Sequence, residues 1–234
     1  MKEGQYWDGE WEKRISEGIE IDNEKTNFLI EKLGIELKNK SILDVGCGTG
    51  TFLLSCSKHT PKLNGCDISK KSIELAKKNN PKANLKTTSL TNIIYPKNSI
   101  DIITAFAVIQ HLLTEEERKK AIIRLIDILK PNGKMIIFDQ VMTPQRKFLS
   151  KVTRRKRDKH ILLLNEKFYL DLFKQRDVRD IKVIIDKKIS AYHYLRLLFS
   201  FFKIKINRKS KIVNACSYLL PNLLSNYRYF IITK

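Results

Sequence analysis

The run Ser41-Ile42-Leu43-Asp44-Val45-Gly46-Cys47-Gly48-Thr49-Gly50 decides how this chain is read. A short apolar strand ends in glycines at alternate positions and passes directly into a helical pattern. Glycine permits a tight turn and lets ligand atoms approach the backbone more closely than any Cβ would allow, and the helix that follows offers unpaired N–H groups. Such a turn is built to hold a nucleotide-like ligand. A dinucleotide fingerprint reads G-x-G-x-x-G. Here the spacing is Asp44-x-Gly46-x-Gly48-x-Gly50, and the acid ahead of the first glycine would repel a pyrophosphate while suiting a cationic amino acid.

Residues 62–67 read as a second strand, followed by a turn into a helix at Gly65-Cys66-Asp67-Ile68-Ser69. A carboxylate at the tip of that strand can accept both hydroxyls of a ribose; alternatively, Asp67 merely precedes a helix whose N-cap is Ser69. Residues 99–107 are nearly continuously apolar, as in a strand buried on both faces at the centre of a parallel sheet. They lead into Val108-Ile109-Gln110-His111-Leu112. Parallel sheets place ligands at the carboxyl ends of their strands, so His111 is either a general base for a substrate hydroxyl or a packing residue in the link to the next helix. That helix opens with a capping box, Thr114 to Glu117, and carries the stripe Ala121, Ile122, Leu125, Ile126 and Leu129. Lys130-Pro131-Asn132-Gly133 ends it and launches a fifth strand over 134–139, whose tip, Asp139, either faces substrate or is an exposed loop acid.

Over residues 25–140 these segments resemble the class I S-adenosylmethionine-dependent methyltransferases of the small-molecule type. The resemblance implies an α/β fold: a doubly wound, Rossmann-like, seven-stranded sheet, mostly parallel with a final antiparallel strand, and helices on both faces. It implies S-adenosyl-L-methionine as cofactor. Gly46, Cys47, Gly48 and Gly50 would pack on its methionine portion, Asp44 would orient it, Asp67 would hold the ribose and Ile68 would cover the adenine. Relatives usually place an acid after strand three to accept from the adenine amino group. The matching position here is Ser89, which brings no charge; Thr88 or Thr91 are its substitutes, and Leu90 covers the ring. Ala105 and Phe106, closing strand four, are placed beside the cofactor. Tyr6 and Trp7 are the candidates for an N-terminal lid over its methionine end.

At 234 residues the chain suits one α/β domain with elaborations. These divide into a lid and helix over 1–40, carrying Phe28, Leu29 and Leu33, a cofactor-binding core over 41–142, and a basic part over 143–234 that completes the sheet. Within the last part, a helix over 165–174 with Phe168, Tyr169, Leu172 and Phe173 on one side, a strand over 178–186 and a final strand over 227–233 are expected, with an insertion near 190–217. Cys47, Cys56, Cys66 and Cys216 show no metal-ligand spacing and read as apolar fillers in a reducing compartment. No apolar leader opens the sequence, which points to a cytoplasmic protein.

The net charge is +20, and it is unevenly placed: −3 over residues 1–40, +6 over 41–142 and +17 over 143–234. The densest run, Arg146-Lys147 through Lys159, follows strand five, where connections shape the acceptor site. An anionic acceptor is therefore expected: a small molecule, a glycan or a lipid-linked intermediate. RNA is the alternative acceptor, and a non-catalytic S-adenosylmethionine-binding protein is a further one. The aromatic and basic stretch 192–211 either packs over the pocket or a partner, or lies on an anionic membrane surface at the inner face.

Overall fold

The structure is a computed structural model that describes residues 3–16, 23–144, 146–147, 160–187, 191, 195, 211–219 and 225–234. Its centre is a seven-stranded sheet in the order β3-β2-β1-β4-β5-β7-β6. The strands are β1 Ile42–Val45, β2 Leu63–Asp67, β3 Asn84–Thr87, β4 Ile100–Phe106, β5 Leu129–Gln140, β6 Asp180–Ile185 and β7 Tyr227–Thr233. Strands β1 to β5 run parallel, and β7 inserts antiparallel between β5 and β6. The helices are α1 Glu3–Ser16, α2 Asn23–Asn27, α3 Thr51–Cys56, α4 Lys70–Asn79, α5 Glu115–Ile128, α6 Glu166–Lys174 and α7 Lys211–Leu219.

Side-chain alternation along the strands generates two cores. Leu43, Val45, Ile103, Ala105, Met135, Ile137, Phe230 and Ile232 face one side, where the stripe of α5 and Tyr169, Leu172 and Phe173 of α6 cover them. Ile42, Ile102, Ile136, Phe138, Tyr229 and Ile231 face the other, under Phe52 and Leu53 of α3 and Ile73 and Ala76 of α4. Parallel strands buried on both faces require this double cover. The reversal of strand order between β1 and β4 opens a crevice at their carboxyl ends.

The capping box forms as read: the Glu117 N–H donates to Thr114 Oγ1 (3.2 Å), and that hydroxyl donates to the Glu117 carboxylate (2.9 Å). Ser69 and Asn165 cap α4 and α6 in the same way, accepting from the N–H groups of Ser72 and Phe168. At the amino edge of the sheet, the Asp101 carboxylate accepts from the Ser41 hydroxyl (2.6 Å), the Ser41 N–H (2.9 Å) and Lys130 Nζ (2.9 Å). Burial pushes its pKa upward, but these donors outweigh that and hold it at about 2.

Several boundaries differ from the sequence reading. Helix α5 stops at Ile128, because Leu129 already pairs with Ile100; the turn is made by Asn132, at φ 61°, inside the extended segment. Strand β6 is shorter than 178–186 at both ends and β2 begins one residue late. Tyr6 and Trp7 lie on a regular helix, and the segment with Phe28 and Leu29 is a π-helical turn, Phe28–Lys32. Asp139 is neither exposed nor substrate-facing: β7 and α6 bury it completely. Most of the stretch 192–211, and residues 148–159 of the basic run, lie outside the described residues. Among the described residues, no helix is long and apolar enough to cross a membrane.

Leu125 is fully buried, whereas Ile94 is 78 % exposed. Leu125→Ala is expected to cost about 2–5 kcal/mol in urea unfolding, and Ile94→Ala less than about 0.5 kcal/mol.

Candidate active site

The carboxyl ends of β1, β2 and β4 open onto a cavity of about 610 Å³. Its floor is the glycine turn. Gly46, Gly48 and Gly50 adopt φ of 67°, 53° and 74°, the left-handed region that side chains resist. A Cβ on Gly46 would come within 2.5 Å of Val108, and one on Gly48 would collide with the Trp11 indole. Asp44, Gly46, Cys47 and Gly48 line the wall, but Gly50 does not. Its missing Cβ makes room for packing instead: one there would stand 2.6 Å from Asn80 Nδ2 of the α4 cap. Ala105 is also off the wall, fully buried in the core under α5, while Phe106, the next residue along the strand, faces the cavity.

Asp44 accepts a hydrogen bond from the Thr104 hydroxyl of the neighbouring strand (2.7 Å). Asp67, at the tip of β2, accepts from the Gly48 N–H through one oxygen and the Ser69 N–H through the other, both at 2.9 Å. The acid thus braces the glycine turn against the start of α4. A carboxylate has about four acceptor sites, and the three backbone N–H groups bonded to Asp67, those of Ser69, Gly48 and Ile68, leave acceptor capacity for a hydroxyl. Burial raises the Asp67 pKa, while the N–H bonds of Ser69, Gly48 and Ile68 pull it down. Ile68, Thr88, Ser89, Leu90 and Thr91 continue the wall, with the Ser89 and Thr91 hydroxyls 2.9 Å apart. Carboxylates on the adjacent strands β1 and β2, a glycine floor and the apolar Ile68 and Leu90 on a wall that also carries the Ser89 and Thr91 hydroxyls fit a nucleoside joined to a cationic amino acid.

The opposite wall comes from α1 and from the segments after β4 and before α6. Helix α1 is fastened to the start of α4: Asp8 accepts from the Ser69 hydroxyl (2.6 Å) and the Lys71 N–H (3.2 Å), and Glu12 pairs with Lys71. This brings Tyr6, Trp7, Glu10 and Trp11 onto the cavity. Tyr6 stacks on His160 with ring centroids 3.7 Å apart, and Trp7 meets His111 edge to face at 4.6 Å. His111 Nδ1 lies 2.6 Å from the His160 carbonyl oxygen. A carbonyl only accepts, so Nδ1 carries the proton of the neutral ring and Nε2 carries the lone pair a general base needs. Ala107, between Phe106 and this turn, is itself held at φ 56°.

Beneath His111 lies a buried polar network. Gln110 donates its N–H to Asp139 (3.4 Å) and accepts from the Gln140 N–H (3.0 Å); Tyr169 donates its hydroxyl to Asp139 (2.9 Å); Arg118 donates to Tyr169 (3.1 Å). Burial lifts the Asp139 pKa to about 7, against the opposing pull of Arg118, Tyr169 and the Gln110 N–H. Sequence reasoning missed Trp11, His160, Arg118 and the role of Tyr169. For Arg118 a signal existed: it stands three and four residues before Ala121 and Ile122, on the apolar stripe of α5.

Residues 43–137 match the family described as "Methyltransferase domain". Over this span the chain is similar to a methyltransferase domain. Over 99 residues the chain is 35% identical to the tRNA (carboxymethyluridine(34)-5-O)-methyltransferase of Arabidopsis thaliana, covering 41% of this chain and 23% of that protein. Over 136 residues it is 29% identical to the ubiquinone biosynthesis O-methyltransferase of Rickettsia typhi, covering 54% of each. A SAM-dependent methyltransferase from Archaeoglobus fulgidus shares the fold with a TM-score of 0.61 at 17% identity, covering 88% of this chain and 91% of that one. The chain spans about a quarter of the length of the first of these relatives.

Asp139 binds its proton more tightly folded than unfolded. Its contribution to stability is full below about pH 4 and is lost as pH rises toward about 7. Thermal unfolding between pH 5 and 8, compared for the wild type and Asp139→Asn, should show the wild type losing stability with rising pH relative to the variant. Parallel curves would mean that folding does not raise this pKa.

Proposed function

We propose that the chain binds S-adenosylmethionine in this cavity and transfers its methyl group to a hydroxyl of a small-molecule, glycan or lipid-linked acceptor. The observation that carries the reading is the placement of Asp44, Asp67 and the left-handed glycine turn on one wall, with His111 on the facing wall of the same cavity. When bound, the cofactor supplies an electrophilic methyl on a sulfonium. The chain's own residues position and desolvate the reactants. Asp44 and Asp67 offer negative charge and acceptor sites for the amino group and ribose; Ile68 and Leu90 flank the adenine, with Ser89 or its neighbouring threonines as uncharged acceptors. Tyr6, Trp7 and Trp11 keep water from the methionine end. His111 Nε2 takes the proton of the acceptor hydroxyl.

The enclosure by α1 supports an acceptor group that fits a covered pocket. The relative from Rickettsia typhi is named as an O-methyltransferase, which agrees with an oxygen acceptor. The anionic acceptor expected from the charge count gains no support from the described wall, where Lys25 is the only lysine or arginine beside Asp44, Asp67, Glu10 and Glu117. An RNA acceptor is the second reading, favoured by the tRNA-directed relative and by the +17 charge over residues 143–234. The two readings part on salt: RNA association would weaken steeply as salt rises. Location in the cytoplasm, with peripheral contact at an anionic membrane, remains part of the proposal through the sequence of 192–211; vesicle flotation tests it.

Calorimetric titration should give saturable binding of S-adenosylmethionine and none of NAD. Asp67→Ala should weaken that binding by about 1–3 kcal/mol through lost hydroxyl pairing; unchanged affinity would remove the ribose assignment. With an accepted hydroxyl substrate in hand, His111→Gln should lower kcat by about 10²–10⁴-fold and leave cofactor affinity in place.

A further inference from the structure

Arg118 is a fully buried guanidinium on the apolar stripe of α5, and none of its atoms reaches the cavity wall. An apolar side chain there would serve the core at no desolvation cost. Its hydrogen bonds show what the arginine does instead. One terminal nitrogen donates to the Leu112 carbonyl (3.1 Å) and to the Leu162 carbonyl (2.7 Å). Leu112 is the residue after His111, and Leu162 lies two after His160. A single guanidinium nitrogen therefore sets the spacing between the two segments that carry the cavity histidines. The other terminal nitrogen donates to the Tyr169 hydroxyl, which donates to Asp139, whose second oxygen accepts from the Gln110 N–H. The Leu162 N–H returns to the Gln110 carbonyl (2.9 Å), closing the circuit.

We propose that Arg118, Tyr169 and Asp139 form a buried positioning relay that holds the His111 turn against the His160 segment and so fixes the orientation and tautomer of the His111 imidazole. The relay deepens the proposed function, since it matters to catalysis only if His111 is the base. Its members touch neither substrate nor cofactor and are positioning residues. The fixed point they act through is the His160 carbonyl, held 2.6 Å from His111 Nδ1. The bonds joining Arg118, Tyr169, Asp139 and Gln110 are buried and those to the Leu112 and Leu162 carbonyls are part-buried, so displacing a central partner leaves another buried group unsatisfied and favours joint movement of the segments. The groups facing Asp139 are Arg118 from α5, Tyr169 from α6 and the Gln110 N–H; Arg228, its ladder neighbour on β7, is committed to Glu166 (2.8 Å). The Asp139 proton is thus the element of the relay that titrates, and its loss strengthens acceptance from Tyr169 and Gln110.

Ring nitrogen spectra of the full ¹⁵N-labelled chain test this directly, with His111 identified by comparison with His111→Gln. Nδ1–H is expected to be the dominant tautomer in the wild type. The His111 signal should show a second inflection at the pH where the Asp139 carboxyl carbon titrates. In Tyr169→Phe and Asp139→Asn the tautomer ratio should change and the His111 midpoint should move by about 0.5 pH unit or more. A wild-type His111 that ignores Asp139 ionisation overturns the relay, whether or not the variants fold. Folded variants with an unchanged His111 overturn it as well. Calorimetry with S-adenosylmethionine is run on the same samples: failure to bind would sink the methyltransferase reading and leave the His111 result standing.

Discussion

The structure depends on the burial of β1, β4 and β5 on both faces. A strand with apolar side chains above and below cannot sit at a surface, so each must be followed by a helix that returns over one face or the other. Two separate cores result, one under α5 and α6 and one under α3 and α4. The same constraint delivers the site. Where strand order reverses between β1 and β4, the connections leave in opposite directions, and the gap at their carboxyl ends is bordered by the glycine turn.

The acids at this edge serve both structure and binding. Asp67 holds the Gly48 and Ser69 N–H groups, so it preforms the glycine turn and the start of α4 before it meets any ligand. Asp44 is similarly tied to Thr104 across the sheet. Preorganisation of this kind reduces what a ligand must spend on ordering the site. The covering wall is organised differently: α1 is fastened by Asp8 to the Ser69 hydroxyl and Lys71 N–H, a polar latch on the rim. The floor thus belongs to the sheet, while the cover is carried by a separate helix.

Much of the site was legible because its parts are local. The strand–glycine–helix turn, the acid closing β2 and the apolar run of β4 are each contiguous, and short-range sterics dictate their shape. The capping box of α5 and the final strand at 227–233 were readable for the same reason. Gly50 and Ala105 show where that reading stops: each falls in a cofactor-like segment, yet one serves helix packing against Asn80 and the other the core under α5. Side-chain direction along a strand, and which neighbour approaches a glycine, depend on partners distant in sequence.

The sequence by itself determined the α/β class, the order of the central elements, the cofactor-like turn and the uneven charge, because hydrophobic period, glycine sterics and capping chemistry act over a few residues. Only the tertiary structure decided that Asp139 is buried, that Tyr6 and His160 stack across the cavity, and that Arg118 links His111 to His160. Those facts join residues separated by 30 to more than 150 positions. They arise because desolvated polar groups must find partners wherever the fold brings one within reach.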